Sequence, residues 1–135
     1  MTTTGSLKKV PLRYIVLGIL SIAARENRPQ IPVTEFYRLF AEMVDDVGES
    51  LPAMAFTRTD YSAYSKRLDE ALQSLVGYSL DLPNPRLRYL ELQPDAADRH
   101  LKWLDAKFEE HSLVGTLEPL VRRWFLTEPE AQPSK

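Results

Sequence analysis

The stretch Leu75–Arg99, LVGYSLDLPNPRLRYLELQPDAADR, decides the fold. Gly77 ends a helical pattern, and YSLDL then alternates apolar and polar residues with the period of two that marks a strand. A second run, LRYLEL, places Leu87 and Tyr89 on one face and Leu90 and Leu92 on the other. The link Pro83-Asn84-Pro85-Arg86 lacks the Asn-Gly pair of a tight hairpin, and Pro85 pushes Asn84 toward an extended conformation. A hairpin of Tyr78–Leu82 and Leu87–Leu92 with a protruding loop is the expectation. Pro94 with Asp95 and Asp98 then opens a new helix, because proline suits the first helical turn and carboxylates suit its positive end.

Upstream of the hairpin, Tyr61, Tyr64, Leu68, Ala71, Leu72, Leu75 and Val76 recur at helical spacing. They predict a third helix capped by Thr59 or Asp60, with Lys66, Arg67, Asp69, Glu70 and Gln73 facing outward. The cleanest amphipathic stripe comes before it: Phe36, Leu39, Phe40, Met43, Val44 and Val47, with Thr34 as N-cap and Gly48 as stop. The first helix runs from Pro11 to Arg25. Gly18 costs it about 1 kcal/mol relative to alanine, which implies close approach of a neighbouring helix. NRPQIPV and ESLPAMAFTR read as connectors.

Downstream, Ala97, Leu101, Leu104 and Phe108 form the stripe of a fourth helix, supported by an Asp98–Lys102 pair. Pro119 belongs in the first turn of a fifth helix, which places its start at Thr116. Leu117, Leu120, Val121, Trp124 and Phe125 are its apolar face. The division expected is a flexible arm over residues 1–10, one domain over 11–126, and a disordered tail over 127–135.

Composition agrees with a soluble domain: 44% hydrophobic and 27% charged residues over 135 positions. Without cysteine there are neither disulfides nor thiolate metal sites, and the expected location is the cytoplasm. A formal charge of -2 argues against non-specific coating of nucleic acid, though not against a local basic face. The longest apolar run, YIVLGILSIAA, is far shorter than the ~20 residues a bilayer span needs. Lys8, Lys9 and Arg13 precede it as in a leader. Arg25-Glu26-Asn27-Arg28-Pro29 follows with no small-residue cleavage pattern, so a buried helix is the reading.

Three helices, a hairpin and further helices give the element order of a winged helix-turn-helix domain with a C-terminal extension. FTRTDYSAYSKRLDEALQSL (Phe56–Leu75), then RYLELQPDAADR, resembles prokaryotic winged-helix proteins, in which a Tyr-x-x-Tyr/Phe-Ser-x-x-Leu helix precedes a wing ending in Tyr-x-Leu. Some phage-associated, antitoxin-like proteins share the helix phrase. The sequence departs from the common pattern where Gln93-Pro94-Asp95-Ala96 stands in place of Thr-x-x-Gly.

Catalysis finds no footing. His100 and His111 share no His-x-x-x-His or His-Glu-x-x-His spacing, and neither a nucleophile elbow nor a phosphate-cradling glycine loop is present. No enzyme activity, cofactor or metal is expected. The resemblance implies DNA binding, with Arg58 at the entrance to the third helix, Lys66 and Arg67 on its outer face, and Arg86 and Arg88 on the wing as contacts. Asp60, Asp69 and Glu70 offset the helix charges, and charged residues with prolines also serve simply to blunt a sheet edge. Leu117, Leu120, Val121, Trp124 and Phe125 either pack within the chain or pair two copies into a dimer. The expectation is a dimeric transcription regulator that binds DNA, and the alternative is an interaction or antitoxin-like module that binds a partner protein.

Overall fold

The apolar run of the first helix becomes the centre of the molecule. The structure is a computed structural model describing residues 7–52, 54–58, 63–75, 89–109 and 112–126, with backbone alone at Arg58 and Tyr89. The helices are α1 (Leu12–Arg25), α2 (Val33–Val47), α3 (Lys66–Leu75), α4 (Pro94–Lys107) and α5 (Leu113–Trp124). The strands are β1 (Gln30–Pro32), β2 (Thr57–Arg58), β3 (Ala63–Tyr64) and β4 (Tyr89–Glu91). Eleven of the 14 residues of α1 are buried, the pattern of a helix covered on every side. α3, α4 and α5 all pack against it, and α2 closes the core through Phe36, Phe40 and Met43.

Gly18 answers to that packing. A Cβ there would lie 2.5 Å from the Leu117 Cδ1 of α5, so the expected close approach is made by α5. α1 ends in a Schellman motif: Asn27 is left-handed at φ 77°, its N–H donates to the Ala24 carbonyl at 3.2 Å, and the Arg28 N–H donates to Ala23 at 2.7 Å. Arg28 then joins three elements. One guanidinium nitrogen donates to the Phe125 carbonyl beyond α5, and another to Glu35 of α2, each at 2.7 Å.

The connector NRPQIPV contains a strand. β1 pairs antiparallel with β4, in the register Gln30↔Glu91, Ile31↔Leu90 and Pro32↔Tyr89. Ile31, Leu90 and Leu92 are buried, so the inward face of the second hairpin run is the even-numbered one. The first run, Tyr78–Leu82, and the loop Pro83–Arg86 lie outside the described residues.

Several boundaries are corrected. Leu7 and Val10 are buried in the core and the Leu7 N–H donates to the Ser50 carbonyl at 2.8 Å, so the proposed arm is part of the domain from Leu7 onward. α2 begins at Val33 after Pro32, which leaves Thr34 inside the helix rather than at its cap. α3 begins at Lys66 because β3 occupies the preceding residues and pairs with β2. Its cap is Ser65, whose Oγ accepts from the Leu68 N–H at 3.2 Å. The alternation of β3 buries Ala63 and turns Tyr64 outward, so Tyr64 leaves the buried stripe. α5 starts at Leu113, drawn back by the burial of that side chain. Pro119 therefore sits inside the helix. Pro119 has no N–H to donate to the carbonyl of Gly115, which lies one turn earlier at an exposed position.

Candidate functional site

α3 is held by its apolar side. Leu68, Ala71, Leu72 and Leu75 are buried, while Lys66, Arg67, Glu70 and Gln73 are exposed. Lys66 and Arg67 occupy the first turn after the Ser65 cap, where the peptide dipoles already point positive charge outward. Asp69 is drawn back toward the body of the protein: the Tyr37 hydroxyl of α2 donates to its Oδ1 at 3.2 Å. Tyr64 stacks on Tyr37 with ring centroids 5.6 Å apart and remains 47% exposed. Burial first, then the Asp69 charge, pushes the Tyr37 phenol well above its ordinary range, so it remains a donor at neutral pH.

Of the five residues proposed to contact DNA, Lys66 and Arg67 are thus brought to one exposed turn. Arg58 lies in β2 opposite Ala63, which sets its backbone near the entrance to α3. Arg86 and Arg88 lie outside the described residues. The connection from α2 to α3 is long, a 3-10 turn at Gly48–Ser50 and then the β2–β3 hairpin, where a helix-turn-helix uses three or four residues.

The apolar face of α5 is largely consumed within the chain. Leu117, Val121 and Phe125 are fully buried, and the Phe125 ring lies 5.4 Å from Phe36 and 6.4 Å from Phe40. Leu120 and Trp124 are only partly covered. Any pairing of copies along this helix has those two side chains to use.

A cleft of about 810 Å³, which the sequence reading missed, lies where α1, α3 and α4 meet. Leu17 and Leu75 are buried at its floor, Tyr14 and Trp103 add aromatic surface, and Arg13, Ser74, Arg99 and His100 complete the lining. Trp103, 47% exposed, was the available signal: it stands off the Ala97, Leu101 and Leu104 stripe of its own helix. Burial, followed by the Arg99 charge, lowers the His100 pKa below its ordinary value.

Among the described residues no group of three or more His, Cys, Asp or Glu side chains is placed to hold a metal ion, and no helix is long and apolar enough to cross a membrane. No family model, curated protein or solved structure matches this chain.

Proposed function

We propose that this chain is a DNA-binding regulator of winged-helix type, with α3 as the reading helix and the segment around Arg86 and Arg88 as its wing. The observation that carries the reading is the first turn of α3: Lys66 and Arg67 project from a capped helix start while Asp69 is bonded back to Tyr37. Recognition helices present their N-terminal residues to the groove, and Arg and Lys are the side chains that bind phosphate and guanine edges. Pairing of β4 with β1 supports it further, since it ties the strand after the arginines to the domain body. Self-association along α5 would use Leu120 and Trp124 and is a secondary part of the proposal.

The test is retardation of genomic fragments at low salt by the wild type and by Lys66→Glu with Arg67→Glu. Both side chains are exposed, so the variant keeps its melting temperature within a few degrees and loses at least tenfold in affinity. Binding unchanged in the folded variant contradicts the assignment of α3. If the wild type retards no fragment, and a pull-down resistant to nuclease recovers a protein, the chain is instead an interaction module.

A further inference from the structure

We propose that the cleft between α1, α3 and α4 binds a small amphipathic organic anion, an aromatic carboxylate or sulfonate, with its ring on Tyr14 and Trp103 and its acidic head between Arg13 and Arg99. The volume, about 810 Å³, falls in the range of small-molecule sites, which join mostly apolar walls to a few polar groups. The apolar wall is preassembled: the Tyr14 and Trp103 rings lie 5.5 Å apart at 54°, leaving Trp103 47% exposed. An exposed indole beside a concave apolar floor gains most from a flat ligand.

The charge of the lining fixes the sign of the ligand. Among the described residues it holds two guanidiniums and an imidazole, and no carboxylate. Elsewhere on the surface arginines meet acids, as Arg25 does Glu118 at 2.7 Å and Arg28 does Glu35 at 2.7 Å. Arg13 instead lies over the Tyr14 ring at 4.7 Å and donates to its hydroxyl at 3.4 Å. Arg99 donates to the Asp95 carbonyl at 3.5 Å. Among the described residues these contacts are with neutral groups and occupy few of the five N–H donors a guanidinium carries, which leaves both cations able to take an anionic head. Lys107, 5.5 Å from the Trp103 ring, adds positive potential at the same edge. The site stands whether or not the chain binds DNA.

The test uses 8-anilinonaphthalene-1-sulfonate, an aromatic anion, and N-phenyl-1-naphthylamine, its neutral counterpart, titrated into the full chain. The expected result is saturable binding of one sulfonate per chain, with NMR shifts concentrated at Ser74, His100 and the Trp103 indole. Arg13→Ala with Arg99→Ala should weaken the sulfonate at least tenfold and change the neutral probe less than twofold. Near-UV circular dichroism and a cooperative melt like the wild type's show that each titrated protein is folded. Should the double variant not fold, Arg99→Gln alone is required to weaken the sulfonate at least threefold. Non-saturable binding, shifts located elsewhere, a neutral probe that binds the wild type as tightly, or variants that keep full sulfonate affinity would each overturn the proposal.

Discussion

At the scale of single residues, the turn after α1 carries the sharpest consequences. Asn27 holds a left-handed backbone at φ 77°, which costs a branched side chain about 1–2 kcal/mol and glycine little. Asn27→Val should lower stability by roughly that amount in urea denaturation, while Asn27→Gly leaves it unchanged or raises it. Arg28, next to it, donates to Phe125 and Glu35 at once. Arg28→Ala should cost about 1–3 kcal/mol, and Arg28→Lys should recover only part of it because an ammonium lacks the fork that reaches two acceptors. His100 gives a pH dependence. Its folded pKa is lowered from 6.5 by burial and then by Arg99, so the unfolded chain takes up the proton first. Stability from this group is complete above about 6.5 and falls as pH drops through the lowered value. Replacement by Gln should flatten that part of the stability profile, and NMR titration of the His100 ring should place its midpoint below 6.5.

At the scale of elements, the helices were legible wherever one side alternates at 3.6 residues and the neighbours are punctuation. α2 and α4 were legible for that reason, since Gly48 and Pro94 adjoin clear stripes, and α1 was legible from its apolar run behind Pro11. The start of α3 was not, because Tyr64 continues the helical period by coincidence while it lies in β3, paired with β2. β1 is a three-residue strand with Pro32 at its end, too short to show alternation, and only its partner β4 identifies it. α5 starts three residues before the Thr116 that proline's preference for the first turn predicts, because the buried Leu113 extends the helix backward. Sequence also left open whether the α5 stripe was core or interface, and the two side chains that separate the answers are adjacent. Phe125→Ala should cost about 3–5 kcal/mol by opening a cavity beside Phe36 and Phe40. Trp124, half-buried, should cost markedly less in the same melt. Equal losses at the two positions would mean the helix packs differently.

At the scale of the whole molecule, a net charge of -2 and a basic turn on α3 are compatible only if binding is local. The candidate contacts were legible as residue types, but not the Tyr37–Asp69 bond beside them, which joins residues 32 positions apart. The cleft was illegible for a similar reason: its cations come from α1 and α4, and no single stripe contains both. On the proposed reading, Lys and Arg side chains on α3 and around Arg86 and Arg88 displace counterions from DNA phosphates. The most direct measurement is affinity for a random duplex at a series of salt concentrations, for the wild type and for Arg86→Ala with Arg88→Ala. Log affinity should fall linearly with log salt, and the double variant should reduce that slope by up to ~2 while weakening binding to all sequences alike. No binding at low salt, or a slope identical in the two proteins, would contradict the account.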